Sequence, residues 1–361
     1  MPESEVKPQV ELKYAELKPF PAWCKIFGKT CELFLEIGIG NGEFVEWLGK
    51  NHPEKCFLGV EVNRLYFKKA VNRIKKADLN NVKLLHAEGS KVLCKLFAPS
   101  TLSGLYLNFP DPWVKKKQKK RRLVNEFFPW LLQSRLKVGG FFLMVTDYQP
   151  YAEEVIEFFS KCKAFVPLWD SRPIKNEFPN YYHTKYARKW LSQGLPLFYV
   201  GFKKVKHLEI PEEVLNYYPI LRLEGDEALP AVVIKVPQKV SLSEITFPEG
   251  VVWRDKNLVV KILEVFKGKN SILLDILVSE GSLLQRFFVV IATHPDGLIV
   301  KVHDSELPDP TKGVHTAISI LAAEVLKSFP QAKVVQNQCK SSVFNNVLKS
   351  FQIQPELRKA P

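Results

Sequence analysis

The sequence predicts a doubly wound α/β domain followed by a smaller α+β domain, and three observations carry that prediction. From about residue 31 to residue 205, short apolar runs alternate with helix-periodic segments, the order that builds a parallel sheet covered on both faces. The first apolar run ends in a glycine-rich turn that leads into a helix. Beyond about residue 230 the pattern changes to alternating, half-buried strands and one long helix.

In chain order, CELFLEIG reads as the first strand and GEFVEWLGK as the first helix. CFLGVEV, VKLLHAE and LSGLYLNF follow as strands, with RLYFKKAVNRIKKA as the helix between the first two of them. A helix over about Asn125 to Leu136, the strand GGFFLMVTD, the helix YAEEVIEFFSKC and the strand LPLFYVGFKK complete the domain. The segment 206–229 loosens into acids and prolines and reads as a linker, while residues 1–30 read as an N-terminal extension. In 230–361, AVVIKV, VVWR, VVKILEVF, SILLDILVSEG, RFFVVIAT and GLIVKV are strands, KGVHTAISILAAEVLKSF is a helix and AKVVQNQ a last strand before a frayed tail.

Composition narrows the function classes. A chain of 361 residues with 46% hydrophobic and 12% aromatic content packs a core, and its length suits two domains. A net charge of +14 favours a polyanionic partner, nucleic acid ahead of an anionic membrane surface. Six scattered cysteines form no CxxC pair and no zinc-ligand spacing, so most read as buried thiols in a reducing compartment and no metal is expected. His294, His303 and Asp304 do not alter that expectation. The charged N-terminus and the lack of a long apolar run point to a soluble, cytoplasmic protein.

The turn LEIGIGNGEF places Gly38, Gly40 and Gly42 where backbone must bend tightly and a ligand can approach it. Glu61 closes the next strand, where an acid accepts hydrogen bonds from ribose hydroxyls. A dinucleotide and S-adenosylmethionine both fit this pair. The spacing departs from G-x-G-x-x-G, and Glu36 and Glu43 flank the turn. Carboxylates there repel a pyrophosphate but attract a sulfonium and an ammonium, so the methyl donor is favoured. Glu88, after the third strand, is placed to accept from an adenine amino group.

The next strand runs into NFPDPWVKKKQKKRR. Prolines on either side stiffen the loop and leave the acceptors of Asp111 for an external group. Methyltransferases acting on exocyclic amines carry Asn/Asp-Pro-Pro-aromatic here, and PDPW lacks the second proline. Guanine N7 needs no deprotonation; it needs alignment and negative charge near a purine that becomes cationic. The basic run taken alone reads as a solvated face or a nuclear-localisation signal; beside Asp111 it reads as a phosphate-binding patch. Trp113 and Tyr148 are candidates to stack on an unstacked base, whereas Tyr151, Tyr181 and Tyr182 read as core. Asp147 doubles as a candidate helix N-cap.

LEIGIGNG, GVEV, NFPDPW with the following KKK and KRR, VTDYQPYAEE, and SRP with a later HTKY together resemble the single-chain bacterial tRNA (guanine-N7-)-methyltransferases, over about Cys31 to Lys204. The resemblance implies a Rossmann-like class I methyltransferase domain, S-adenosylmethionine as cofactor, tRNA with a variable-loop guanosine as substrate, and no required protein partner. It implies cofactor contacts for Glu36, Gly38, Gly40, Gly42, Glu61, Glu88 and Asp111, with Asp111 also catalytic. It further implies RNA contacts for Lys115, Lys117, Lys119, Lys120, Arg121, Arg122, Asp147, Thr184, Lys185 and Tyr186. The family's Thr-x-Phe/Tyr-Glu motif ends here in Ala187, for which Glu177 is a candidate substitute, and Glu88 replaces a more usual Asp. The resemblance says nothing firm about the second domain. Two other readings stand beside it: a methyltransferase for an exocyclic amine of RNA or DNA, and a non-catalytic RNA-binding protein on the same fold, for which Ala187 is the hint.

Overall fold

The computed structural model describes residues 9–353 apart from 171, 224, 226 and 238–240. The start of the N-terminal extension, Ser171 of the SRP stretch, Glu224 and Asp226 of the acidic segment and the last residues of the tail lie outside the described residues. Two compact units divide between Val214 and Leu215.

In the first unit the strands are β1 (Glu11–Leu12), β2 (Leu33–Ile37), β3 (Cys56–Glu61), β4 (Val82–His86), β5 (Leu102–Asn108), β6 (Leu136–Thr146), β7 (Phe165–Pro167), β8 (Ile174–Lys175) and β9 (Phe198–Lys204). The helices are α1 (Trp23–Phe27), α2 (Glu43–Asn51), α3 (Arg64–Ala77), α4 (Gly89–Leu96), α5 (Phe128–Arg135), α6 (Gln149–Lys161) and α7 (Lys185–Leu191), and α8 (Glu212–Tyr217) falls at the division between units. The sheet order is β1-β4-β3-β2-β5-β6-β9-β7, with β8 paired to β9. Neighbours from β4 to β6 are parallel. β9 runs antiparallel between β6 and β7, which corrects the expectation of a purely parallel sheet.

The strands β2 to β4 are rich in apolar residues and buried at every position but His86, because both their faces are covered. On one face Phe44, Val45 and Leu48 of α2 and Phe67, Val71 and Ile74 of α3 pack on Phe34, Phe57 and Leu84. On the other, Phe159 of α6 stacks between Phe142 and Phe202, with ring centroids 4.6 Å apart on each side. The chain order reverses between β2 and β5, so the connections leaving their carboxyl ends diverge from one point of the sheet edge. Open α/β sheets bind ligands at such a switch point.

Several local expectations need correction. Helix α5 starts at Phe128, three residues later than the periodicity implied, with Pro129 in its first turn. Helices α4 and α7 are too short for their periodicity to stand out. Cys31 and Cys56 form a disulfide, so the thiol reading holds for Cys94, Cys162 and Cys339, which are buried, while Cys24 is exposed.

The second unit is a seven-stranded antiparallel sheet of β10 (Ala231–Lys235), β11 (Gly250–Asp255), β12 (Leu258–Lys267), β13 (Ser271–Glu280), β14 (Leu283–His294), β15 (Gly297–Val302) and β16 (Lys333–Asn337), in the order β11-β12-β13-β14-β15-β10-β16. Alternate residues such as Ile272, Leu274, Ile276 and Val278 join a core with α9 (Lys312–Ser328). The expected frayed tail is instead helix α10 (Ser341–Ser350), which buries Val343, Phe344, Val347 and Leu348. Charge is unequal between the units: 35 Lys and Arg stand against 23 Asp and Glu through Val214, but 17 against 15 beyond it.

Candidate active site

The glycine turn uses left-handed backbone at all three glycines, with φ of +76° at Gly38, +54° at Gly40 and +81° at Gly42. A Cβ built on Gly38 or Gly40 would meet nothing within 4 Å, so both line open space at the switch point. One on Gly42 would lie 3.0 Å from the Ala70 Cβ, so this glycine lets α2 and α3 approach. Gly42→Ala is therefore expected to cost about 1–3 kcal/mol of stability through backbone strain, with crowding added. Denaturant unfolding checks this.

Glu61, at the end of β3, is buried, and its two oxygens accept from Gly40 N–H and Asn63 N–H at 2.8 Å each. It thereby pins the turn while keeping spare lone pairs for a ribose. Glu36, at 3% exposure, accepts from Asn108 Nδ2 at 3.1 Å through Oε1, and Asn108 in turn accepts from the Tyr181 hydroxyl at 2.7 Å. Glu36 Oε2 is buried with no hydrogen-bond partner among the described residues. Burial, with the Glu61 charge adding to it, raises the Glu36 pKa to about 8 although Asn108 opposes the shift. A buried acceptor left open beside an open glycine turn fits a cationic group of a ligand. Glu88 is exposed at the N-cap position of α4 and accepts from the Ser90 hydroxyl.

Asp111 is exposed on a loop bent at both ends, because Phe109 and Trp113 hold φ of +50° and +37°. Such values are rare without a glycine and persist only where surroundings impose them. Phe109 N–H donates to Val145 O at 2.8 Å, and the Phe109 ring meets Tyr186 edge-on at 4.9 Å. The Tyr186 hydroxyl donates to Asp147 Oδ2 at 2.7 Å. Burial first, then this bond and the Asp147 charge, push the Tyr186 pKa up to about 12. Asp147 does not cap α6: Tyr148 holds the N-cap position, and its N–H donates to Thr146 Oγ1 at 3.2 Å.

The basic run coils into a 3-10 helix over Lys116–Arg121. Three residues per turn sort its side chains by spacing. Lys117 and Lys120 are exposed, as are Lys115 and Lys116. Arg121 lies over the Trp113 ring, 5.2 Å from its centroid. Lys119, itself exposed, and the buried Arg122 both pair with Glu154 of α6, Lys119 at 3.2 Å. Arg122 is 5% exposed, so its guanidinium is no outward phosphate ligand, contrary to the sequence reading.

Thr184 caps α7 by accepting from Ala187 N–H at 3.3 Å. The family's Thr-x-Phe/Tyr-Glu has the spacing of a capping box, and Ala187 leaves only the threonine half. Ala187 is buried with Val145, Leu197 and Tyr199. Glu177 is exposed; the acid that reaches this segment is Glu43 of α2, which accepts from Lys185 N–H at 2.8 Å. Burial opposes the Glu43 charge, yet the bonds from Lys185 and Asn41 and the nearby Arg73 and Arg188 hold its pKa below the usual range. Tyr181 packs on Phe44 and Tyr182 stacks on Trp47, as core side chains do.

Residues 31–200 match the family described as "Putative methyltransferase". The tRNA (guanine-N(7)-)-methyltransferase of Thermus thermophilus is 31% identical over 298 residues, 82% of this chain and 89% of that protein. The chain belongs to the tRNA (guanine-N(7)-)-methyltransferase family. The Thermotoga maritima tRNA (guanine-N(7)-)-methyltransferase is 29% identical over 318 residues, 88% of this chain and 97% of that protein, so the likeness extends well past Val214. The Syntrophotalea carbinolica tRNA (guanine-N(7)-)-methyltransferase is covered over 86% of its length by 55% of this chain. The Thermotoga and Thermus matches are thus long enough to take in part of the second unit.

Proposed function

We propose that this chain is a cytoplasmic enzyme that methylates N7 of a variable-loop guanosine in tRNA, with S-adenosylmethionine as donor and no second subunit. The observation that carries the reading is the buried Glu36 oxygen left without a partner among the described residues, beside Gly38 and Gly40 at the switch point of the sheet, where the strand leading to Asp111 also ends. Glu36, Glu61 and the glycine turn hold the cofactor, with Glu88 at its adenine end; S-adenosylmethionine supplies an electrophilic methyl group when bound.

Asp111 and Asp147 receive the guanine edge, accepting from its N1–H and 2-amino group. Asp111 offsets the positive charge that develops on the purine and has no proton to remove. Asp147 becomes available when the Tyr186 hydroxyl gives way to the base. Thr184 orders the segment that carries Lys185 and Tyr186. Lys115, Lys117, Lys120 and Arg121 contact phosphates, which positions tRNA without reading its sequence.

No helix among the described residues is long and apolar enough to cross a membrane, and no group of three or more potential ligands there could hold a metal ion. The test is transfer from labelled S-adenosylmethionine to unmodified tRNA by the purified chain alone. Catalytic formation of N7-methylguanosine, identified by mass spectrometry, supports the proposal. A product methylated on an exocyclic amine moves the reaction to the other base-methyltransferase class, and bound cofactor without any product leaves an RNA-binding protein on the same fold.

Replacing Lys117 and Lys120 together by alanine is expected to weaken tRNA binding. It is also expected to lower the slope of log affinity against log salt by about 1 to 2, with turnover at saturating tRNA retained. Filter binding across a salt series checks this.

A further inference from the structure

Arg122 lies within the cationic run, yet the structure assigns it another task. We propose that Arg122 is a positioning residue that fixes the separation of Asp111 and Asp147 by tying the PDPW loop to α6. This rests on the reading that both carboxylates hold the guanine.

The guanidinium has three partners. Its Nε donates to Pro112 O at 2.7 Å, its Nη1 meets Glu154, and its Cζ lies 4.5 Å from the centroid of the buried Tyr151 ring. Pro112 has no N–H, so its carbonyl is the one polar backbone group by which that residue can be held. Asp111 stands immediately before it, between Pro110 and Pro112.

At the other end of the loop, Phe109 N–H is bonded to Val145 of β6. The arch that carries Asp111 therefore has one foot on β6 and the other on α6, and Asp147 lies at the junction of those two elements. The rigid planar fork holds a carbonyl and a carboxylate at a fixed separation while lying over a ring, which the single flexible ammonium of a lysine does not do. The left-handed backbone at Phe109 and Trp113 needs such fixed ends.

The experiment uses the full chain with Arg122→Gln, Arg122→Lys and the Lys117→Ala/Lys120→Ala double variant. Four quantities are read: kcat, KM for unmodified tRNA, the salt slope of tRNA binding, and hydrogen exchange over residues 109–115. For Arg122→Gln the expected results are a fall in kcat of about 30-fold or more and faster loop exchange, with tRNA affinity within two-fold and the salt slope unchanged. Arg122→Lys retains the charge and is expected to recover part of kcat; it carries the same test if the glutamine variant fails to fold. A loss of affinity with a salt slope reduced by about 1, matching the exposed lysines, would overturn the proposal, as would an unchanged kcat. If the wild-type chain methylates no tRNA, the functional reading fails by itself. Loop exchange then still decides whether Arg122 holds the arch.

Discussion

Asp111→Ala is expected to lower turnover about 100- to 1,000-fold, the usual effect of removing one group that stabilises charge in a transition state. Cofactor and tRNA affinities are expected to stay within a few-fold of wild type. The physical reason lies in when the interaction is made. Neutral guanine offers Asp111 hydrogen bonds, but the purine bears a full positive charge only as N7 gains the methyl group. An ionised carboxylate held nearby therefore binds the transition state more tightly than the ground state. Asp111 is exposed on an already bent loop, so its removal is expected to leave the fold intact. Steady-state kinetics on unmodified tRNA, with cofactor binding by calorimetry, separate the terms. Unchanged turnover would remove Asp111 from the mechanism, and a matching loss of cofactor affinity would make it a binding residue.

Much of the first unit was legible because a strand covered on both faces is rich in apolar residues without strict alternation, and β2 to β4 are such strands. The turn was legible for a different reason: Gly38, Gly40 and Gly42 all require left-handed backbone, a local property that sequence states directly. Arg122 was misread because its burial depends on Glu154 and Tyr151, more than 25 residues away, while its sequence neighbours are exposed lysines. The 3-10 spacing of Lys119 and Arg122 held a clue, visible only once the segment was known to be helical. The acid serving the Thr184 segment was sought nearby at Glu177 but comes from α2, through Glu43. A contact across 142 residues leaves no periodic trace. The antiparallel β9 likewise follows from its place between β6 and β7, since an apolar run reads the same in either direction.

Glu36→Gln is expected to weaken S-adenosylmethionine binding about 10- to 100-fold, the worth of a charge-assisted contact in a buried site. The same substitution is expected to stabilise the ligand-free protein at alkaline pH. Both effects follow from a carboxyl that is neutral when the site is empty and ionised when a cation faces it. In the folded, ligand-free chain its pKa is about 8, against 4.5 as the ordinary value. Between those values the folded state holds a proton that the unfolded state has released. Stability therefore falls as pH rises through that window, by up to about 1.4 kcal/mol per unit, and levels off above it. Glutamine does not titrate, so the variant lacks this slope, which urea unfolding at a series of pH values reads directly. Binding carries the opposite sign, because the sulfonium and ammonium favour the carboxylate. Affinity is expected to rise with pH up to about 8 and then flatten. Below that pH, cofactor binding expels up to one proton, which calorimetry detects by comparing buffers of different ionisation enthalpy. Binding that is flat across this range, or equally tight in Glu36→Gln, would show that the open Glu36 oxygen faces something other than the cation of the methyl donor.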